Sequence, residues 1–337
     1  MTPRAELKTA RLTLRPVAAA DEAAVVACLN DIAVTGWMAV IPHPYTTADF
    51  RGFQTGFAKP GLTYAVDDTQ GFVGILGVER RTLGYWLAPA AHGRGYATEA
   101  PRAALAEHFG DNEANIASGY FEGNPRSANV LRKLGFVETG RWPKHCLAMN
   151  LDRPHVEMLL TRAAFTAALP IEARSERLTY RSLYPVDLHA LHALVSHFEV
   201  VRQLASYPWP PERHFTRTRA QPYTGRGFVW GAFLQGRLIG TIGVTGDELG
   251  YMFIPDVWGR GLATEACQTA VGRAFAQGRD HLVAGVWADN LASIGLLKKL
   301  GFRIVEDDLT LNKARGVVVA GHGLRLDRAD WQAPPAA

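Results

Sequence analysis

The sequence predicts a protein of two tandem domains, each built on a mixed β-sheet flanked by helices, in the α/β (α+β) class. Two observations support this fold class. The chain has 337 residues, which corresponds to about two domains at roughly 150 residues each. It also repeats itself over most of its length, with strand-like and helix-like segments in the same order in both copies.

The repeat keeps one offset throughout. The segment Arg11–Arg15 (RLTLR) recurs as Arg177–Arg181 (RLTYR), an offset of 177 minus 11, or 166 residues. At the same offset, LGYWLAPAAHGRGYATEA from Leu83 recurs as LGYMFIPDVWGRGLATEA from Leu249, with 11 of 18 positions identical. VLRKLGF and LLKKLGF are related in the same way. A period this long indicates a duplicated domain rather than a solenoid unit, whose repeats run to roughly 20–50 residues.

The domain boundaries follow from this register. We predict one domain over residues 1–165 and a second over residues 171–330, joined by a connector within residues 161–174.

Within the first copy, apolar periodicity and turn residues predict a strand at 12–16, a helix at 21–29 and irregular chain with short helical pieces at 35–60. The same signals then predict, in order, strands at 63–67, 72–79 and 83–88, a helix at 97–109, a strand at 116–122, a helix at 127–134 and a last strand at 156–160.

Composition excludes several classes of protein. Hydrophobic residues make up 47% and charged residues 20% of the chain, which is ordinary globular composition. No apolar run reaches the roughly 18–20 residues of a membrane span, and the first residues lack the apolar core of a secretory signal. Three widely spaced cysteines, Cys28, Cys146 and Cys267, give neither a disulfide framework nor a metal site. We therefore expect a cytoplasmic protein that neither spans a membrane nor binds a metal ion.

The charge balance gives no strong nucleic-acid signal. The net charge is +4, and no block of Lys and Arg marks a nucleic-acid-binding arm.

A glycine-containing loop is the strongest chemical signal in the sequence. His92–Ala97 follows a strand and opens a helix, and its two glycines allow a sharp turn that leaves backbone N–H groups uncovered. Such amides at a helix start favour a phosphate or pyrophosphate. The loop lacks the Lys-Ser/Thr of a P-loop and the GxGxxG spacing of a dinucleotide site. Its recurrence as Trp258–Ala263 makes a purely structural turn a weaker explanation.

These motifs together resemble the GNAT N-acetyltransferase superfamily. The resemblance rests on LGYW-x5-GRGYATEA followed by N-x2-S-x6-LGF, and it covers both copies. The branch it is most similar to comprises the Rim-type enzymes, which acetylate ribosomal-protein N-termini. The resemblance implies a centrally splayed sheet in each domain, with acetyl-coenzyme A lying in the splay. In the family the first loop position is Gln or Arg, whereas this chain has His92 and Trp258.

The resemblance also implies the cofactor-binding residues. The strand before each loop, Tyr85–Ala88 in the first copy and Met252–Ile254 in the second, would pair with the pantetheine arm, and one of its N–H groups would stabilise negative charge on the acetyl oxygen. In the first copy the implied residues are Trp86, Leu87, Ala88, His92, Gly93, Arg94, Gly95, Tyr96, Ala97, Thr98 and Asn124. In the second copy they are Phe253, Ile254, Trp258, Gly259, Arg260, Gly261, Leu262, Ala263, Thr264 and Asn290.

Some of these residues have structural readings of equal standing. Asn124 precedes Pro125, so it is also a suitable helix N-cap, and one residue can do both. Many family members donate a proton from a Tyr seven residues after this Asn, but this chain has Leu131 and Leu297 there. In the Rim-type branch a Ser three residues after the Asn can take that role.

Ser127 and Ser293 stand at that serine position. They are therefore candidate catalytic proton donors, and first-turn helix hydroxyls otherwise.

The general base is left open by the sequence. An amine must lose its proton before it attacks an acyl group, so a carboxylate, a His or a water path is needed. The candidates are Glu79, Glu122 and His145 in the first copy and Glu248 in the second. We predict that His145 lies in a late loop, Trp142–His145, of the kind that often borders the acceptor site. The competing readings are a solvated strand end for Glu79 and a surface position for His145.

The predicted function is transfer of an acetyl group from acetyl-CoA to an amine by direct attack in a ternary complex. The acceptor is a protein N-terminus or a small-molecule amine, and the protein is a monomer or dimer. Aminoacyl or other acyl transfer on the same fold is one alternative, and a non-catalytic acyl-CoA-binding protein is another. Copy two ends differently from copy one over residues 309–319, so the two acceptor sites should differ.

Overall fold

The computed structural model describes residues 5–333, which fold into two units. Unit one ends at Leu169 and unit two begins at Pro170, so the division lies inside the predicted connector. Each unit contains one mixed eight-stranded sheet with helices, which confirms the predicted fold class. Among residues 5–333 no helix is long and apolar enough to cross a membrane.

The strands of unit one are β1 (Leu7–Lys8), β2 (Thr13–Arg15), β3 (Thr63–Asp68), β4 (Gly71–Glu79), β5 (Thr82–Leu87), β6 (Ile116–Phe121), β7 (Val137–Cys146) and β8 (Leu151–Leu160). Its helices are α1 (Glu22–Leu29), α2 (Ile32–Thr35), α3 (Thr47–Gly56), α4 (Tyr96–Gly110), α5 (Pro125–Lys133) and α6 (Arg162–Ala167). The sheet order is β1-β2-β3-β4-β5-β6-β8-β7.

Unit two repeats this arrangement. Its strands are β9 (Ala173–Arg174), β10 (Leu178–Ser182), β11 (Gly227–Leu234), β12 (Arg237–Thr245), β13 (Glu248–Phe253), β14 (His281–Trp287), β15 (Arg303–Asn312) and β16 (Val317–Asp327). Its helices are α7 (Leu188–Val195), α8 (Phe198–Val201), α9 (Arg213–Arg219), α10 (Leu262–Ala276) and α11 (Leu291–Lys299). The sheet order is β15-β16-β14-β13-β12-β11-β10-β9.

An ion pair, buried in unit two and partly exposed in unit one, holds strand β2 or β10 to the turn that follows it. In unit two, the Arg181 guanidinium donates to both carboxylate oxygens of Asp187, at 2.7 and 2.8 Å, and both side chains are buried. Arg15 and Asp21 form the same pair in unit one. The last arginine of the repeated RLTxR motif therefore has a structural role in both units.

The end of each unit differs from the sequence prediction. Trp142–His145 was expected in a loop, but it lies in strand β7, and β8 begins at Leu151, before the predicted strand. β7 is an edge strand with nearly every residue exposed, so its sequence carries no alternation of apolar and polar residues. The predicted connector contains helix α6, whose Phe165 packs on Phe109 with ring centroids 5.4 Å apart.

Candidate active site

The central strands of each sheet separate along most of their length. β5 and β6 run parallel but pair only at Thr82 and Ala117, and β13 and β14 pair only at Glu248 and Val283. Beyond these points the facing strand edges have no strand partner among the residues that the structure describes. The splay that the family resemblance implies is thus present in both units.

The register decides which backbone amides face the splay of unit one. Ala88 donates to the Val73 carbonyl on β4 at 2.8 Å. Because N–H groups alternate between the two edges of a strand, the amides of Tyr85 and Leu87 face the gap. The predicted strand residues therefore divide: Leu87 presents its amide to the splay, whereas Trp86 and Ala88 do not. The Trp86 side chain packs against Phe72 instead.

Unit two follows the same rule. Ile254 donates to the Ile239 carbonyl at 2.9 Å, so the amides of Tyr251 and Phe253 face the gap. Of the predicted pair, Phe253 is placed to bind a ligand in the splay through its backbone amide and Ile254 is not. Tyr85 belongs to the strand that the resemblance implies for the pantetheine arm, whereas Tyr251 lies just before the implied range Met252–Ile254 and was missed by the sequence reasoning.

The glycine loop leaves a row of unpaired amides at the open end of the splay. Gly93 and Gly95 have φ of +76° and +82°, and Gly259 and Gly261 have +73° and +76°. Within the described chain, no acceptor bonds the amides from Gly93 to Ala97, nor those from residues 259 to 263. A Cβ at Gly93 or Gly259 would meet nothing within 4 Å, so the loop is uncrowded at its first glycine in both units.

The residue that departs from the family pattern anchors the loop to the strand. The Nε2 nitrogen of His92 lies 3.0 Å from the Leu87 carbonyl, and since a carbonyl only accepts, Nε2 carries the proton. Trp258 Nε1 donates to the Phe253 carbonyl at 2.9 Å in the same way. Both side chains supply a ring N–H at one position, which explains why His and Trp replace each other there.

An arginine–glutamate clasp supports the loop from behind. Arg11 Nε donates to Glu99 at 2.7 Å, and Arg11 Nη1 donates to the Arg94 carbonyl at 2.8 Å. In unit two, Arg177 binds Glu265 and the Arg260 carbonyl at 2.7 and 3.0 Å. All four clasp residues lie in repeated motifs, and that repetition was the sequence signal for them.

The ionisation state of the clasp is fixed by its hydrogen bonds. Burial opposes ionisation of Glu265, but hydrogen bonds from Ser175 and Arg177 outweigh burial and hold its pKa below the usual value. The clasp of unit two is therefore ionised at neutral pH.

The arginines inside the two loops differ in their partners. Arg94 donates to Asp68 at 2.9 Å. Leu234 stands at the position of Asp68 in unit two, and Arg260 has no ion-pair partner among residues 5–333. Arg260 is thus the loop arginine whose charge is uncompensated.

Each motif asparagine caps a helix. The Oδ1 atom of Asn124 accepts from the Ser127 amide at 3.1 Å, and that of Asn290 accepts from the Ser293 amide at 3.2 Å. The structural reading of these residues therefore holds, and the side-chain NH2 of each remains available for a ligand.

The two candidate serines each lie beside a tyrosine hydroxyl. The hydroxyl oxygens of Tyr85 and Ser127 are 3.1 Å apart, and those of Tyr251 and Ser293 are 2.6 Å apart. Burial raises the pKa of Tyr85 to about 12, although the bond with Ser127 opposes the shift. Burial likewise raises the pKa of Tyr251. Both tyrosines therefore keep their protons and can donate to the serine oxygen.

The candidate bases of unit one lie in different places. Glu79 is on β4, one strand away from the splay, and accepts hydrogen bonds from the Thr63 hydroxyl and the Lys59 amide. Glu122 pairs with Arg141 at 3.0 Å. His145 is exposed on β7 and pairs with Asp152 at 2.8 Å. None of the three is brought against Ser127.

Glu248 of unit two lies on the splayed strand itself and lines the same cleft as Ser293. That cleft has a volume of about 1110 Å³ and is lined from both faces of the sheet, so it passes through the splay. It contains the loop glycines Gly259 and Gly261 together with Tyr251. Unit one has Thr82 where unit two has Glu248, so only unit two carries a carboxylate at this strand position.

Comparison with known proteins shows which family the two units belong to. A sequence profile of the acetyltransferase (GNAT) domain matches residues 11–137 and again residues 177–303, which together make up more than half of the chain. The chain belongs to the GNAT acetyltransferase family. The two matches are displaced by 177 minus 11, or 166 residues, so the duplicated units are two GNAT N-acetyltransferase domains.

Several known proteins are similar to parts of this chain. The uncharacterized N-acetyltransferase YoaA of Bacillus subtilis (strain 168) is 33% identical over 143 residues, which cover 38% of this chain and 81% of YoaA. Spermidine N-acetyltransferase from Vibrio cholerae, solved with CoA and spermine, is 18% identical with a TM-score of 0.40, over 47% of this chain and 99% of that one. Mycobacterium smegmatis RimJ, solved with CoA-disulfide, is 23% identical with a TM-score of 0.38, over 44% of this chain and 81% of that one.

The residues present fit acetyl-coenzyme A, the acyl donor of the family. Its pyrophosphate needs several donors in an open cradle, and the unpaired amides of each glycine loop supply them. Its extended pantetheine arm needs a free strand edge, which the amides of Tyr85 and Leu87, or Tyr251 and Phe253, provide.

Proposed function

We propose that unit two transfers an acetyl group from acetyl-CoA to a primary amine by direct attack in a ternary complex, and that both units bind the cofactor. One observation carries this proposal: Glu248, Tyr251, Ser293 and the glycine loop line one cleft that passes through the sheet. The cofactor would occupy the α10–α11 side of the gap and the amine the opposite side.

Glu248 is the proposed general base. Alternation along β13 puts the side chains of Glu248, Gly250 and Met252 on one face of the sheet and that of Tyr251 on the other. An amine held on the Glu248 face would pass its proton to the carboxylate, directly or through one water, as its nitrogen bonds the acetyl carbon.

Ser293 is the proposed proton donor to the sulfur as the carbon–sulfur bond breaks. Acetyl-CoA supplies the acetyl group as a thioester. A serine hydroxyl has one proton, so Ser293 can donate to the sulfur only if that proton is not already donated to another acceptor. With Tyr251 donating to the Ser293 oxygen, the serine proton is free to point into the cleft. Tyr251 acts here as a positioning residue.

A two-part measurement tests this function. Calorimetric titration with acetyl-CoA should give two sites per chain, and steady-state thiol release should depend on an added amine. Glu248→Gln should lower kcat while leaving both cofactor sites occupied. Absence of acetyl-CoA binding, or binding without turnover of any amine, would overturn the proposal.

A further inference from the structure

The acceptor sides of the two units can be compared position by position. Helices α2 and α8 begin at Ile32 and Phe198, and α3 and α9 begin at Thr47 and Arg213. Both pairs differ by 166 residues, so the register of the sequence repeat holds without a gap through this region. Differences between equivalent residues therefore report differences between the two acceptor sites.

Four equivalent positions change from apolar in unit one to polar in unit two. Trp37, Ile41, Phe53 and Phe57 are replaced by Gln203, Tyr207, Arg219 and Tyr223. In unit one, Ile41 and Phe53 pack against a small apolar core that includes Phe50. In unit two, all four replacements line the cleft described above. One side of this cleft is thus built from polar groups where the sister domain is apolar.

Arg219 is the charged member of this set. Its guanidinium lies over the Phe215 ring, 5.2 Å from the centroid, and Phe215 in turn meets Tyr207 edge to face at 5.1 Å. Among the residues that the structure describes, no carboxylate pairs with Arg219. The Phe215 ring holds the planar Arg219 guanidinium at the side of the cleft, where two of its N–H groups can donate together, and does not neutralise its charge.

The other charged groups of the cleft do not duplicate this position. Glu199 is paired with Arg202 at 3.2 Å. Lys299 lies on α11, on the side where we place the cofactor. Glu248 is the proposed base. On the acceptor side, Arg219 is therefore the cation left to meet a charge on the substrate.

We propose that the acceptor of unit two is an amine that carries a carboxylate, with Arg219 binding the carboxylate and Glu248 facing the amine. The guanidinium fork matches a carboxylate through two parallel N–H donors. This inference rests on the proposed acetyl transfer and adds its substrate class. The amine nitrogen bonds the acetyl carbon and loses a proton to Glu248, while the carbon–sulfur bond breaks and the sulfur leaves with the proton of Ser293. Ser293 regains a proton from water as Glu248 releases its own, which restores both residues.

The test uses the full chain and matched acceptors. Phenylalanine, its amide and phenethylamine share one apolar body and differ in the carboxylate. All proteins carry Gly95→Asp to silence unit one, and thiol release gives kcat and KM for each acceptor. The amide has the less basic amine, so a preference for phenylalanine over its amide is not explained by the fraction of neutral amine.

We expect phenylalanine to be the best of the three acceptors. Arg219→Gln should raise KM for phenylalanine roughly ten- to a hundredfold, as loss of a charge-assisted bond does, and leave KM for phenethylamine and acetyl-CoA unchanged. Arg237→Gln is the matched control, because Arg237 is exposed, pairs with Asp256 at 3.3 Å and is not among the residues that line the cleft.

Two results would overturn the inference while leaving the proposed function intact. One is equal use of all three acceptors, unaffected by Arg219→Gln. The other is a rise in KM for acetyl-CoA instead of the acceptor, which would assign Arg219 to the cofactor. If acetyl-CoA binds but none of the three is acetylated, titration of phenylalanine into the CoA-saturated protein decides, and absence of binding rejects the inference. Failure of acetyl-CoA itself to bind would reject both proposals.

Discussion

The hydroxyl of Tyr251 lies 2.6 Å from the hydroxyl of Ser293, and the equivalent pair in unit one, Tyr85 and Ser127, is separated by 3.1 Å. In each unit the tyrosine belongs to one splayed strand, and the serine belongs to the first turn of the helix that follows the other splayed strand, α5 or α11. The pair therefore bridges the two elements between which the proposed cofactor groove runs. A contact of this kind, kept in both copies of a diverged duplication, orients the serine.

The first prediction concerns this pair in unit two. Ser293→Ala should lower kcat by about a hundredfold, the scale of general acid catalysis, with little change in KM for acetyl-CoA. Tyr251→Phe should lower kcat less, because Ser293 remains and only its orientation is lost. The double variant should be no worse than Ser293→Ala alone, since the tyrosine acts through the serine. Steady-state kinetics in the Gly95→Asp background measure all three.

The control for this prediction is Ser196→Ala, which removes a hydroxyl that donates to the His192 carbonyl on α7. Its kcat should match that of the parent. Because the pKa of both tyrosines is raised, neither ionises in the neutral range, and Tyr251→Phe should not shift the pH optimum. If the losses in kcat of the two single variants simply add up in the double variant, Tyr251 does not act through Ser293, and the prediction is contradicted.

The sequence was sufficient for the parts of the site that depend on local chain geometry. The glycine loop and the Asn–Ser helix start are short motifs whose residue types are dictated by φ and by capping. Tyr251 could not be identified in this way, because in a strand it reads as an ordinary β-forming residue. Its role depends on a partner 42 residues later in the chain.

The edge strand β7 and the residues around the proposed acceptor side also could not be predicted from the sequence. β7 was read as a loop because an exposed edge strand has no buried face to set an alternating pattern. The polar residues near Arg219 lie in a region that the sequence predicted to be irregular chain. Only the structure shows that α9 is equivalent to α3, so that Arg219 stands at the position of Phe53.

The second prediction concerns the glycine loops. Gly95→Asp should remove the acetyl-CoA site of unit one, and Gly261→Asp that of unit two. A Cβ at these positions would lie 3.2 Å from Arg11 Nη2 and 3.6 Å from Arg177 Nη2, so the new carboxylate disturbs the clasp that supports the loop and adds negative charge beside the pyrophosphate site. Calorimetric stoichiometry should fall from two sites to one in each case. Gly236→Asp is the matched control: its φ of +82° equals that of Gly95, its surroundings are open, and it lies in the β11–β12 turn. Two sites in either loop variant would contradict the assignment.

The third prediction concerns the clasp behind the loop of unit two. Glu265→Gln leaves the Arg177 guanidinium without its carboxylate and should weaken acetyl-CoA binding to unit two several-fold, although neither residue is placed against the ligand. The expected stability cost is roughly 1–2 kcal/mol, reduced by the exposure of the arginine. Glu265→Asp keeps the charge and should restore part of the affinity. Calorimetry and urea unfolding separate the two effects.

The same carboxylate gives the clasp a pH dependence of known sign. The pKa of Glu265 is lowered in the folded state, so its contribution to stability is complete above the pKa of the unfolded chain. It is lost as pH falls through the lower, folded-state value. Wild-type and Glu265→Gln proteins should therefore converge in stability on acidification. A difference that grows at low pH would contradict the assigned charge state.

The fourth prediction concerns the buried pair Arg181–Asp187. Asp187→Ala would leave a guanidinium buried without its partner and should destabilise unit two by about 3–5 kcal/mol, as loss of one member of a buried ion pair does. Replacing both residues together, Arg181→Met with Asp187→Leu, should recover much of that loss, because no uncompensated charge remains. Denaturant unfolding followed by tryptophan fluorescence measures both, since Trp230 lies buried in the core of the same unit. If the double replacement is as unstable as the single one, the expected recovery fails. The pair would then supply hydrogen bonds to the turn after β10 that apolar packing does not replace, such as the bond that the Tyr184 amide donates to Asp187 at 3.0 Å.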